Sequence, residues 1–159
     1  MQIYIMRHGQ AEMMANSDAE RNLTDIGREE SELMAKHLIQ QNTSIEAVLL
    51  SPFVRAQQTW QSVNPFFEQV DHIQTLPCLT PSGSAHAAVD ELLALKAQGI
   101  KSVLVVSHLP LVGYIVGELA PAAGVPAFSP SAVGHITLND DDGFATLLSL
   151  TTVSQLHNT

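Results

Sequence analysis

The feature that most constrains the fold of this chain is an alternation between short, continuous apolar runs and longer segments of helical character. Three of the apolar runs, 3–6, 47–51 and 102–108, lack the alternating polar residues of a half-exposed strand, which predicts strands buried on both faces. Helical segments separate these runs. Buried strands that alternate with helices favour a mainly parallel sheet covered on both sides, so we expect an α/β protein with three α/β/α layers.

The remaining elements are predicted from helical spacing, capping residues and turn residues. Thr24 is a suitable N-cap for the first helix, and Gly99 is suitable to end the third. Polar residues 139–143 form a turn between the last two strands, which predicts a closing hairpin. The full set comprises helices over 23–42, 52–67, 84–99 and 110–120, a weaker edge strand over 72–76, and hairpin strands over 133–138 and 144–150.

Length and composition limit how the protein is organised. A chain of 159 residues suits one domain, which we expect to span 1–159 and to be monomeric. No apolar run reaches the roughly 18 residues of a membrane span, and Arg7 interrupts the N-terminal apolar stretch, which argues against a secretory signal. The single cysteine, Cys78, cannot form an internal disulfide. We therefore expect a cytoplasmic protein that does not act at a membrane.

The charge balance argues against nucleic acid as a partner and makes the few arginines conspicuous. There are 16 acidic residues against 7 lysines and arginines, the net charge is −9, and no basic stripe offsets it. The arginines are Arg7, Arg21, Arg28 and Arg55. Two of them, Arg7 and Arg55, lie at or just beyond predicted strand ends. A local positive site is therefore expected within an acidic protein.

Three predicted strands end next to cationic or imidazole side chains. The first ends in Arg7 and His8, the second is followed within one helical turn by Arg55, and the third ends in His108. The carboxyl ends of parallel strands lie along one edge of the sheet, where open α/β proteins bind their ligands. Two arginines and two histidines without an obvious carboxylate partner predict an anion site. A tetrahedral phosphoryl group suits the paired donors of arginine.

His8 is the candidate nucleophile of this site. Its imidazole is largely neutral near pH 7, and its attack on phosphorus beside fixed cations would form a phosphohistidine that water then hydrolyses. Gly9 lets the backbone turn sharply and approach a ligand closely. A zinc site built from His8 and His108 is the competing interpretation. The adjacent Arg7 opposes a dication and no third ligand is evident, so we expect no metal and no other cofactor.

Four stretches of the chain, in order, resemble the motifs of a known family. They are Met6-Arg7-His8-Gly9, "LTDIG" (23–27), "LSPFVRAQQT" (50–59) and "VVSHLPLVG" (105–113), and they are similar to the successive motifs of the histidine phosphatase superfamily, also called the phosphoglycerate mutase-like family. The match runs from residue 3 to about 117 and implies the phosphoglycerate mutase-like fold. The short length, together with "SPFVRA" and "SHLPLVGY", most resembles phosphohistidine phosphatases of the SixA type.

The resemblance implies an activity and a role for each site residue. His8 would be the nucleophile that becomes phosphorylated, while Arg7, Arg55 and His108 would hold the phosphoryl oxygens and stabilise the transition state. His108 would do so as a cation or as a hydrogen-bond donor. Phosphatases of this type act on the phosphorylated histidine-containing phosphotransfer domain of a sensor kinase. We therefore expect that domain as the partner, and a role in two-component signalling.

Two departures from the family's pattern narrow the expected substrate. Members that cleave phosphate esters usually carry a glutamate as general acid, but the corresponding stretch, 79–83, has no carboxylate, and His86 is the nearest candidate for a substrate contact. An imidazole protonated on its other nitrogen needs less help to leave, whereas an alcohol leaves poorly unless it is protonated. Only the 52 residues from 56 to 107 separate Arg55 from His108, too few for the long insertion of the mutases, which implies an open site.

Two other functions remain open at this point. One is a phosphatase of small phosphomonoesters within the same family. The other is a phosphoprotein-binding module that keeps the cationic pocket without turnover. An intact His8 disfavours the binding module, because a pure binder needs no nucleophile at that position.

Overall fold

Residues 1–157, which the computed structural model describes, fold around one six-stranded β-sheet. In chain order the strands are β1 (Gln2–Arg7), β2 (Ala47–Leu50), β3 (His72–Thr75), β4 (Ser102–Ser107), β5 (Val133–Leu138) and β6 (Ala145–Thr151). They lie across the sheet in the order β3-β2-β4-β1-β5-β6. The first four strands pair in parallel, and β5 pairs antiparallel with both β1 and β6. The predicted strands, including the closing hairpin, are confirmed to within one residue at each end.

The described residues form five α-helices, four of them at predicted positions. They are α1 (Asp25–Gln40), α2 (Val54–Val63), α3 (Ala85–Ala97), α4 (Leu111–Leu119) and the short, unpredicted α5 (Val153–His157). Thr24 caps α1, since its Oγ1 accepts the N–H of Gly27 at 3.0 Å. Within residues 1–157, no helix combines the length and the apolar character that a membrane crossing needs.

The second helix is shorter than predicted at both ends. It begins at Val54 because Ser51 Oγ accepts the N–H of Phe53 at 3.2 Å, and this local turn competes with the helix. It ends at Val63, where a 3-10 turn containing Pro65 follows. Proline has no N–H to offer a continuing helix, and its ring clashes with the preceding turn.

Alternate residues of the buried strands pack against opposite helical layers. Ile3 and Ile5 of β1 join a cluster with α3 and α4, whereas Tyr4 and Met6 join a cluster with α1 and α2. The central strand β4 is buried along its whole length. The predicted three-layer α/β/α arrangement is therefore confirmed, with the parallel strands in its middle layer.

The register of the parallel strands determines which strand ends lie side by side. Arg7 of β1 pairs with Ser107 of β4, so the residues that follow, His8 and His108, start from adjacent positions. The second strand ends beside β4 in the same way, at Leu50. The carboxyl ends of β1, β2 and β4 thus form one edge of the sheet.

Replacing Ile5 by alanine is expected to lower the free energy of unfolding by about 2–5 kcal/mol, because its side chain is fully buried between the sheet and the layer of α3 and α4. Chemical denaturation of the purified variant measures this loss. The matched control is Ile73→Ala on the edge strand β3, where the isoleucine is 44% exposed and the loss should stay below about 1 kcal/mol. Equal losses at the two positions would contradict the layered packing.

Candidate active site

The side chains predicted from the strand ends meet at this edge of the sheet. His8 follows β1 and His108 follows β4, and their ring centroids lie 5.0 Å apart. Arg55, in the first turn of α2, places its Nε 3.2 Å from His8 Nε2. Arg7 is the last residue of β1, and its positive charge adds to burial and to the charge of Arg55 in lowering the pKa of both histidines. The structure thus brings all four predicted residues to one site.

The hydrogen bonds of His8 determine which ring nitrogen carries the proton. His8 Nδ1 lies 2.7 Å from the carbonyl oxygen of Gly9, and a carbonyl can only accept, so the proton is on Nδ1. His8 Nε2 faces the Nε–H of Arg55 and accepts from it. The lone pair needed for nucleophilic attack is therefore on Nε2.

Gly9 is required by the close approach of two backbone segments. A Cβ at Gly9 would lie 2.7 Å from the carbonyl oxygen of Gly27 in α1 and 2.9 Å from Ser31 Oγ. A Cβ at Gly27 would in turn clash with the carbonyl oxygen of Gln10. The N–H of Gly9 donates to Thr59 Oγ1 at 3.0 Å, which ties this loop to α2. Gly9, in the first motif, therefore allows its loop to pack closely against Gly27, in the second motif.

Two buried donors of the site have no protein partner. Arg7 is held by its Nη1, which donates to the carbonyl oxygen of Phe128 at 2.8 Å, while its Nε has no hydrogen bond. His108 Nδ1 is likewise buried without a partner. Within residues 1–157, these are the two buried side-chain nitrogen or oxygen atoms in that condition. Since buried polar groups are normally paired, both atoms indicate a ligand with acceptor oxygens.

Ser51, which the sequence analysis did not single out, sets the proton position on His108. Ser51 Oγ is fully buried, accepts the N–H of Phe53 and lies 2.7 Å from His108 Nε2. Within residues 1–157 the Ser51 hydroxyl has no other acceptor, so we assign its hydrogen to His108 Nε2, which leaves the ring proton of a neutral His108 on Nδ1. The unpartnered nitrogen of His108 is thus a donor.

Both histidines are neutral in the free protein near pH 7. Burial, aided by the charges of Arg55 and Arg7, lowers the pKa of His8 to about 4. Burial also lowers the pKa of His108 to about 3, with His8 and Arg55 adding to the shift. A neutral His8 can act as a nucleophile. For His108, the low pKa favours the hydrogen-bond donor over the cation.

Asp18, also missed in the sequence, holds the other end of the Arg55 guanidinium. It lies in a 3-10 turn (Asp18–Glu20), where its carbonyl oxygen accepts from Arg55 Nη1 at 2.6 Å and its Oδ2 accepts from Nη2 at 3.2 Å. Arg21 Nη1 donates to Asp18 Oδ1 at 3.0 Å. The bond from Arg21 and then that from Arg55 lower the pKa of Asp18, so its carboxylate is ionised at neutral pH. No periodicity or motif in the loop 10–22 marks this residue.

The stretch that would hold a general acid in the ester-cleaving members lies beside the site. Its Leu79 carbonyl oxygen accepts from Ser107 Oγ at the end of β4, at 2.7 Å. His86 is exposed on α3, and its Nδ1 lies 2.9 Å from Glu118 Oε1 of α4, a hydrogen bond that raises the pKa of His86. This pairing favours a surface role for His86 over a substrate contact.

In the part of the chain described, no group of three or more His, Cys, Asp or Glu side chains is placed to hold a metal ion.

Comparisons with known sequences identify similar proteins over most of the chain. The profile of the histidine phosphatase superfamily (branch 1) matches residues 3–80. The phosphohistidine phosphatase SixA of Escherichia coli K12 is 47% identical over 140 residues, which cover 88% of this chain and 87% of that protein. A SixA homolog of Haemophilus influenzae Rd is 43% identical over 143 residues, which cover 86% and 87%.

Comparisons with solved structures agree with the observed architecture. The structure of the protein histidine phosphatase SixA complexed with tungstate matches with a TM-score of 0.94 and 45% identity, over 98% of this chain and 99% of that one. Phosphoglycerate mutase from Bacillus anthracis Sterne matches with a TM-score of 0.79 and 16% identity, over 99% and 95%. The second likeness concerns the fold alone, and the expected phosphoglycerate mutase-like fold is confirmed.

The two buried histidines are expected to make stability fall as the pH drops from about 6.5 toward 4. In that range the unfolded chain binds protons that native His8 and His108 do not, so each histidine lowers the free energy of unfolding by up to about 1.4 kcal/mol per pH unit. Urea unfolding at a series of pH values measures the slope.

The variant His108→Gln should show a shallower slope than the wild type below pH 6.5. The control is His86→Gln. Because the pKa of His86 is raised, its contribution is already complete below the unfolded pKa, so its removal should leave that slope unchanged. An unchanged slope in His108→Gln would contradict a neutral, buried His108.

Proposed function

Since this chain belongs to the histidine phosphatase superfamily and is a phosphatase, we propose that it removes the phosphoryl group from the histidine-containing phosphotransfer domain of a sensor kinase, through a covalent phosphohistidine on His8. Its likeness to SixA makes it a phosphohistidine phosphatase. The observation that carries the proposed mechanism is the state of His8 Nε2. This atom is unprotonated, faces Arg55 Nε, and lies at an edge where two buried donors have no protein partner.

In the first step, His8 Nε2 attacks the phosphorus atom of the substrate phosphohistidine. A bond forms between phosphorus and Nε2 while the bond from phosphorus to the substrate ring nitrogen breaks, and the electron pair of that bond stays on the substrate nitrogen. The substrate imidazole carries a proton on its other nitrogen and leaves neutral. The positive charge that the ring of His8 gains is stabilised through its Nδ1–H, which stays bonded to the Gly9 carbonyl.

In the second step, water attacks the phosphorus atom of phosphorylated His8. The bond from phosphorus to Nε2 breaks, its electron pair returns to Nε2, and both hydrogens of the water remain with the inorganic phosphate. His8 is released in its original neutral form. The leaving group is therefore an imidazole in both steps, and neither step needs a general acid.

Three N–H groups are suitably placed to bind the phosphoryl oxygens. Arg7 Nε and His108 Nδ1 have no protein partner to give up. Arg55 Nε donates to His8 Nε2 in the free protein and shifts its hydrogen bond to an oxygen as phosphorus approaches that atom. The two unpartnered donors, Arg7 Nε and His108 Nδ1, can stabilise the charge of the transition state without first breaking another hydrogen bond.

The carboxylate that contacts Arg55 argues against an ester as the preferred substrate. An ester releases an alkoxide, which needs a proton from a general acid. Asp18 accepts hydrogen bonds from two arginines and is ionised, so it has no proton to donate to a leaving group. A phosphohistidine substrate has no such requirement.

A protein substrate is supported by what surrounds the site. The residues between Arg55 and His108 form α2, β3, α3 and short connections in place of a long insertion. Met13 and Met14, in the loop that carries Asp18, are 84% and 86% exposed, and a protein surface could pack on them. We place this reaction in two-component signalling in the cytoplasm, carried out by a monomer that needs no metal or other cofactor.

Substitution of His8 by alanine is expected to lower the release of phosphate from a phosphorylated phosphotransfer domain by at least about 10³-fold, because no nucleophile remains. Circular dichroism would establish that the variant stays folded. In the wild type, a base-stable phosphoryl group should be found on His8 after rapid mixing. The control His86→Ala removes an exposed histidine and should keep the full rate. Full turnover by His8→Ala would contradict the proposed nucleophile.

Phosphohistidine is expected to be hydrolysed with a kcat/KM at least about 10²-fold above that of phosphoserine in a peptide of matched sequence, since a general acid normally contributes that much to ester cleavage. p-Nitrophenyl phosphate is the control, because its leaving group needs no acid, and it should be cleaved faster than phosphoserine. A preference for phosphoserine would favour the phosphomonoester alternative. Tight binding of phosphohistidine without phosphate release would favour the binding module.

A further inference from the structure

Asp18 has no part in the reaction described above, yet it holds the side chain that touches the nucleophile. Arg55 makes three kinds of polar contact: Nη1 with the Asp18 carbonyl, Nη2 with the Asp18 carboxylate and Nε with His8 Nε2. The ring of Phe53 lies 5.1 Å from the guanidinium carbon. Arg55 is 4% exposed although its side chain is long and charged. Asp18 therefore supplies two of the three polar contacts that orient the guanidinium.

The orientation of Arg55 matters because its N–H groups point in fixed directions. The guanidinium is planar, so a hold on both Nη atoms also fixes the direction of the Nε–H bond. In the structure that bond points at His8 Nε2, the atom to which phosphorus must come. An arginine without this hold would have several flexible torsions, and its Nε–H would point at the transition state for only part of the time.

The carboxylate of Asp18 is itself held from a second side. Arg21 Nη1 donates to Asp18 Oδ1, and Arg21 Nε donates to the carbonyl oxygen of Glu12 at 2.7 Å. Two oxygens of one carboxylate thus bind two different guanidinium groups. Charge-assisted bonds of this kind are the strong ones, so Asp18 is fixed even though its side chain is 57% exposed.

Resting on the proposed roles of His8 and Arg55, we propose that Asp18 is a positioning residue of the phosphatase. It holds both Nη atoms of Arg55 so that Nε–H stays beside His8 Nε2 and donates to a phosphoryl oxygen once phosphorus takes the place of this hydrogen bond on Nε2. Arg21 holds the carboxylate in place for that purpose.

A purely structural role and a purely electrostatic role make different predictions from this one. If Asp18 only anchored the loop, its loss would affect stability and leave the rate of the folded protein unchanged. If its negative charge only weakened anion binding, its loss would improve both substrate affinity and rate. A positioning role predicts that kcat falls by much more than the affinity for an anion.

The test is Asp18→Ala, which removes the carboxylate and keeps the main-chain carbonyl. We expect kcat for phosphohistidine to fall by about 10- to 100-fold, in keeping with misplaced catalytic groups elsewhere. The inhibition constant of inorganic phosphate should change by much less than kcat, because the loss of an aimed donor weakens anion binding while the removal of a nearby negative charge strengthens it. Asp18→Asn, whose side-chain oxygen can still accept from Arg55 Nη2, should recover part of the lost rate.

The matched control is Glu20→Ala in the same 3-10 turn. Glu20 is bonded to Ser17 Oγ at 2.9 Å, so this change removes a neighbouring carboxylate from the loop without touching Arg55. It should keep the wild-type kcat. A wild-type kcat in Asp18→Ala, or an equal loss in Glu20→Ala, would overturn the positioning role.

A second measurement needs no substrate and separates this proposal from the proposed function. In nitrogen-15 NMR spectra of the folded wild type, the Nε–H of Arg55 should be protected from exchange, and the signal of His8 Nε2 should show an accepted hydrogen bond. Both signatures should be lost in Asp18→Ala and kept in Glu20→Ala. If the wild type failed to hydrolyse phosphohistidine, the proposed function would fall. Unchanged NMR signatures in Asp18→Ala would overturn the positioning role alone.

Discussion

The hydrogen bond between His8 Nδ1 and the carbonyl oxygen of Gly9 is the interaction on which the site depends. It keeps the ring proton on Nδ1 and leaves a lone pair on Nε2. Burial keeps that lone pair unprotonated at neutral pH, and Arg55 is aimed at it. The bond forms because the chain turns immediately after β1, so that the carbonyl of residue 9 reaches the ring of residue 8. No additional side chain is needed to orient the nucleophile.

The sheet supplies the second constraint, since it brings distant residues together and buries their charges. Burial lowers the pKa of both Arg7 and Arg55, because moving a cation away from water costs free energy. Acceptors offset that cost. The Phe128 carbonyl holds Arg7, and Asp18 holds Arg55. The donors left over, on Arg7 and His108, are those available to a phosphoryl group.

The sequence was sufficient to predict the strands and the proximity of the four site residues, because apolar runs and parallel pairing can be recognised from local patterns. Ser51 could have been predicted in the same way, since it follows β2 as His8 follows β1. A neutral serine, however, does not by its type indicate an anion site. Asp18 and the Phe128 carbonyl were beyond it. Their contacts depend on loop conformations that have no period, and every residue carries a carbonyl.

The close approach of Gly9 to Gly27 has a consequence for how such a chain can change over time. The two glycines belong to stretches that look like separate motifs, yet a side chain on either would enter the other segment, since a Cβ at Gly9 meets the Gly27 carbonyl oxygen and a Cβ at Gly27 meets main-chain atoms of Gln10. A methyl group at either position meets main-chain atoms, which cannot rotate away as a side chain can. The loop after β1 and the first turn of α1 are therefore sterically coupled, and a substitution that adds a side chain at either glycine must displace the other segment.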